Sequence, residues 1–150
     1  MIYKFLILLA LSVFVLACSQ DESETIYAPH QQDSFLNGEW KGLANEEQKT
    51  LNLDVNLKEN YGSISGNGTV KMTVSDDIND LSLEFSGSFS QGVLNGSQIS
   101  FVMESSIDSD YVAYNGGLDK TDSSKFNGNA SYYLSSQHRS IRFVMTLNKQ

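Results

Sequence analysis

The sequence predicts an all-β protein, an antiparallel up-and-down barrel of about eight strands, with a two-sheet β-sandwich as the alternative. Three observations predict it. Apolar and polar residues alternate with a period of two through most of residues 37–150. The connections between the alternating runs are short, and no stretch of that region shows a helical period. A period of two with one polar face is the mark of half-buried antiparallel strands.

The expected strands are 37–44, 48–58, 62–75, 80–90, 92–104, 110–119, 124–135 and 139–148. Trp40 anchors the first. In the second, Leu51, Leu53, Val55 and Leu57 share one face while Asn52, Asp54 and Asn56 take the other. Ile64, Gly66, Gly68, Val70, Met72 and Val74 continue the apolar face in the third, and Leu81, Leu83, Phe85 and Phe89 in the fourth. A phase break follows, because Leu94 and Gly96 fall on even positions whereas Ile99, Phe101 and Met103 fall on odd ones. A bulge near Gly96–Gln98 restores the inward face. Val112, Tyr114 and Gly116 then mark the sixth strand, Phe126, Ala130 and Tyr132 the seventh, and Ile141, Phe143 and Met145 the eighth. Three similar segments, beginning at Gly62, Gly92 and Ser124, recur at near-constant spacing and are each expected to open the return strand of a hairpin.

Hairpins sharing one greasy face remove their edges by closing into a barrel. Eight strands enclose an interior that side chains just fill, or that holds one small ligand. The inward set Trp40, Phe85, Phe101, Tyr114, Tyr132 and Phe143 is therefore the candidate lining for a small apolar ligand, with the inward glycines leaving room. The same large and small residues can equally interlock as a solid core.

Meander topology puts four hairpin connections at one end and three, with both ends of the domain, at the other. The first end carries Glu46, Glu47, Asp76, Asp77, Asp80, Asp108 and Asp110, against which stand only Lys49 and Arg139, with His138. This acidic rim is the candidate site for a cationic or protein partner. The Asp76–Asp80 segment offers the oxygen ligands calcium prefers, but it lacks the EF-hand spacing and reads as a polar hairpin loop, so no metal is expected. A net charge of −8 argues against nucleic acid, which needs a basic footprint. Outward Tyr111 and Tyr133 are candidate contacts if they form a patch.

Ahead of the domain, Lys4 and an apolar run from Phe5 to Leu16 lead to Ala17 and Cys18, the one cysteine. A charged start, a short apolar middle and a small residue at the cut mark a signal peptide, over residues 1–17. Val15-Leu16-Ala17-Cys18 resembles the bacterial lipobox, which implies that Cys18 is acylated and anchors the protein to a membrane. Residues 18–36 are polar and carry the single proline, the composition of a disordered acidic tether. Ser19 stands where an aspartate retains lipoproteins at the inner membrane, which implies the outer membrane. The acidic residues Asp21, Glu22 and Glu24 resemble the surface-export signal of Bacteroidota lipoproteins, which implies exposure at the cell surface.

Gly38-Glu39-Trp40 opens the first strand as the Gly-x-Trp motif does in lipocalins, and Ser109-Asp110-Tyr111 is similar to their Thr-Asp-Tyr signature. The domain resembles a small lipocalin-like, calycin-type barrel. In that family the tryptophan closes the barrel floor beneath a late basic residue. Arg142 lies on the outward phase of its strand and does not supply that cover.

No catalytic motif is present. His30 falls in the tether and His138 in a hairpin loop, and neither a nucleophile turn nor a phosphate-cradling loop occurs. The chain is expected to be a non-catalytic binding module on a lipoprotein, without a cofactor. The alternatives are a carrier of a small apolar ligand and an envelope protein that inhibits a hydrolase through its distal acidic loops.

Overall fold

The alternation resolves into eight antiparallel strands in a computed structural model that describes residues 34–75 and 80–150. They are β1 (Gly38–Glu46), β2 (Lys49–Asn60), β3 (Ser63–Ser75), β4 (Asp80–Asn95), β5 (Gln98–Ser105), β6 (Tyr111–Leu118), β7 (Lys125–Leu134) and β8 (Arg139–Lys149). A short 3₁₀ turn, Ser135–Gln137, links β7 to β8. Each strand pairs with the next, and β8 returns to β1 through Trp40↔Lys149, Lys41↔Asn148 and Gly42↔Leu147, so the sheet closes as a barrel and not as a sandwich.

The inward face follows the sequence phase. Leu51, Leu53, Val55 and Leu57 of β2 are buried between exposed Asn52, Asp54 and Asn56. Across the ladder Val55 faces Gly68 and Leu57 faces Gly66. A side chain at Gly68 would run into the backbone carbonyl of Asp54, so the strands approach there more closely than any other residue permits. The space beside Gly66 belongs to the Phe89 ring, whose Cζ lies 2.8 Å from where a Cβ would sit.

The phase break has a different cause from the one expected. β4 does not end near residue 90; it runs on to Asn95 and turns through Gly96, which sits at φ 59°, into β5 with Leu94 directly opposite Ile99. Opposed residues of a hairpin share a face, so an even position meets an odd one there without any bulge. The bulge lies instead inside β4. Phe89 pairs with Gly66 and Gly92 with Ile64, and Ser90 and Gln91 have no partner in the register with either neighbour. The inward set thus passes from odd to even within β4. The Gly92 segment closes β4, so it does not open a return strand as the Gly62 and Ser124 segments do.

The barrel floor is built on Trp40. Its indole N–H donates to the Leu36 carbonyl at 2.8 Å, and both residues are fully buried. Phe126 lies 5.2 Å from the indole, and Phe35 stacks on Phe126 at 6.3 Å. Leu36, which composition assigns to the tether, is therefore part of the packed floor. Lys149, opposite Trp40 in the β1–β8 ladder, holds its ammonium 6.0 Å from the indole centroid and donates to the Phe35 carbonyl. Residues 1–33, with the signal segment and Cys18, lie outside the described residues. Trp40→Ala is expected to cost about 3–5 kcal/mol of unfolding free energy. Urea denaturation followed by circular dichroism checks this, and an unchanged midpoint would contradict a packed indole.

Candidate functional site

The six inward candidates, Trp40, Phe85, Phe101, Tyr114, Tyr132 and Phe143, are all buried. They meet one another and their neighbours rather than enclosing a shared hollow. Phe85 packs edge-on to Tyr132 at 5.7 Å, and Phe101 lies between Phe89 at 4.7 Å and Tyr114 at 5.6 Å. The inward glycines are filled from the side: the Tyr114 hydroxyl occupies the space beside Gly116, and Met145 with Leu147 that beside Gly42. Tyr114 donates its hydroxyl to the Phe126 carbonyl at 2.8 Å. Burial, which disfavours a phenolate, pushes the Tyr114 and Tyr132 phenols far above their ordinary range, so both stay protonated donors. Large and small side chains interlock through the barrel centre.

The distal carboxylates divide into three groups. Asp76 and Asp77 lie outside the described residues. Glu47, Asp80 and Asp108 are exposed, with Asp108 accepting the Asp110 amide at 3.0 Å. Glu46 and Asp110 are committed within the fold.

Asp110 is buried, at 7% exposure, and does not belong to a solvated rim. One carboxylate oxygen accepts the Ser135 amide at 2.8 Å and the Ser135 hydroxyl at 2.7 Å, and the other accepts the Tyr132 hydroxyl at 3.2 Å. These bonds tie the β5–β6 loop to the start of the β7–β8 turn over the distal end of the core.

Glu46 spans the seam between β1 and β8. The ladder there stops at Gly42↔Leu147, and continuing its register would set Asn45 opposite Val144. Instead the Glu46 carboxylate accepts the Val144 amide at 3.2 Å and pairs with the Lys49 ammonium at 2.7 Å, and Lys49 donates to the Arg142 carbonyl at 2.7 Å. The Lys49 bond first, and the Val144 amide second, hold the Glu46 carboxyl below its usual range. Side chains thus clasp the seam where the backbone ladder has lapsed. Among the described residues no group of three His, Cys, Asp or Glu side chains comes together to hold a metal ion.

The outer face carries two features. Tyr111 and Tyr133 are directly opposed on β6 and β7 and stack at 4.8 Å, forming the patch their outward phase allowed. Beside them, over the irregular stretch of β4, the outer surface sinks into a cleft of about 920 Å³ reaching Phe89, Phe101 and Tyr114. Sequence reasoning missed this cleft. Its signal was the change of inward phase between Phe89 and Gly92.

Asp110→Ala strands the Tyr132 hydroxyl and the Ser135 donors, and is expected to destabilise by about 1–3 kcal/mol. Chemical denaturation measures it; a loss of less than a few tenths would mean that the bonds to Tyr132 and Ser135 carry no stability.

No family model and no curated protein matches this chain. Among solved structures it is similar to EF1p2_mFAP2b bound to DFHBI, with 14% sequence identity, a TM-score of 0.51, and coverage of 77% of this chain and 94% of that one. At that identity the likeness is one of fold, an eight-stranded closed barrel.

Proposed function

We propose that this chain is a lipid-anchored envelope protein whose barrel is a non-catalytic binding module, presenting its outer surface to its partner. The observation that carries the reading is the filled interior. With Phe89 in the space of Gly66 and Tyr114 in that of Gly116, the core acts as a scaffold and leaves binding to the loops and outer sheet. Among the described residues, the polar groups Glu46, Lys49 and Asp110 at the distal end hold the barrel together. The His138 ring meets the Tyr133 hydroxyl at 3.4 Å.

Anchoring rests on the sequence: the charged start, the apolar run and Cys18 after Ala17. Two acyl chains hold a protein stably where one does not. The outer membrane and exposure at the surface are read from Ser19 and from Asp21, Glu22 and Glu24 in the sequence.

A second reading, carriage of a small apolar ligand, is favoured by one observation. Val74, Leu81 and Leu83, at the distal end of β3 and β4, are only half-buried. The structural neighbour holds DFHBI, which fits such a use of the fold.

Cys18→Ser is expected to abolish incorporation of labelled palmitate in a bacterial host, whereas the parent protein is labelled; equal labelling would refute the anchor. The same variant, freed from lipid, is expected to show no saturable change in Trp40 emission when titrated with a dansylated fatty acid. Saturable quenching would turn the reading to a carrier.

A further inference from the structure

We infer that the cleft over the irregular stretch of β4 binds a neutral, hydroxyl-rich ligand, a short oligosaccharide. The inference deepens the reading of the barrel as an outward-facing binding module and rests on it.

The cleft exists because β4 and β5 part company. Their ladder runs Gly87↔Ser105 and Ser88↔Glu104, then resumes only at Val93↔Ser100. Four residues of β4, Phe89 to Gly92, therefore face three of β5, Phe101 to Met103. The extra residue opens the outer surface down to the stacked Phe89–Phe101 pair, whose rings lie 12° from parallel. Bulges re-aim side chains and interrupt pairing in this way, and they recur beside functional sites. At about 920 Å³ the opening is within the size range of small-ligand clefts, roughly 300–1,000 Å³.

Its chemistry selects the ligand. The polar lining is made of hydroxyls and amides, among them Gln91, Ser100, Asn115, Asn129 and Ser131. Each can both donate and accept a hydrogen bond, as a sugar hydroxyl does. Val102, 45% exposed, and Ala113 supply an apolar patch between them for the C–H face of a sugar ring. Among the described residues Glu104 is the one charged side chain lining the cleft, in a protein of net charge −8. A carboxylate only accepts, which suits a pair of hydroxyl donors and disfavours a sulfated or carboxylated sugar. The stacked Tyr111 and Tyr133 extend the site toward the distal end, because Tyr111 lies opposite Glu104. Two further outer clefts differ: one sets Glu39, Lys41 and Asp54 around its mouth, and another is lined by the Glu46–Lys49 clasp.

The test is a printed array of neutral, sialylated and sulfated oligosaccharides, probed with the full chain held in nanodiscs. Neutral glycans are expected to be retained. Ser131→Trp, which fills the cleft from the solvent side, should lower that retention by at least about tenfold, or about 1.4 kcal/mol, with the melting temperature unchanged. If Ser131→Trp disturbs folding, Gln91→Ala and Asn129→Ala remove contacts without adding bulk, and each should weaken retention several-fold. Retention of anionic glycans alone, or of none, overturns the inference. So does neutral binding that survives all three substitutions, which would put the sugar elsewhere. None of these results alters the fatty-acid titration, so failure of the oligosaccharide site stays distinct from failure of the outward-facing reading.

Discussion

Closing a sheet of hairpins requires its first and last strands to meet, and here that meeting rests on three residue pairs at the floor. Trp40↔Lys149 is the first of them. The indole fills the floor and bonds to Leu36, while the ammonium opposite lies over the ring and reaches the Phe35 carbonyl. Burial, a hydrogen bond and a cation–π contact act on one residue at the point where an eight-stranded sheet would otherwise keep two open edges. Toward the distal end the same two strands are joined by side chains, through Glu46 and Lys49. The seam is thus apolar and ladder-bonded at one end and ionic at the other, so its distal half is the natural place for local opening.

Much of this was legible in the sequence, because a period of two states directly which residues face inward. β2 and β8 could be assigned residue by residue, and the barrel followed from the even run of hairpins. What parity cannot state is the cause of a phase change. A bulge and a hairpin turn both convert odd to even, and the stretch from Phe89 to Ile99 contains one of each. Counting a single break therefore placed the bulge at the turn.

The candidate site was less legible, for reasons of burial and register. Asp110 shares its charge with Asp108, and charge does not reveal that one is held by Tyr132 and Ser135 while the other is exposed. The inward phase of Tyr132, arriving at the same end of the barrel, was the available clue. Lys149 escaped notice because its role depends on which β1 residue it opposes, a fact of closure and not of strand pattern. Leu36 was lost among polar neighbours, since two apolar residues are too few to show a period.

The position of the floor has a mechanical consequence. A pull on the chain upstream of Ser34 reaches the folded part first at Leu36 and Trp40, the bonded pair that seals the barrel. The Glu46–Lys49 clasp lies at the other end of the seam, away from that point of entry. The ladder-bonded end of the seam therefore stands nearer to where such tension enters than the ionic end does.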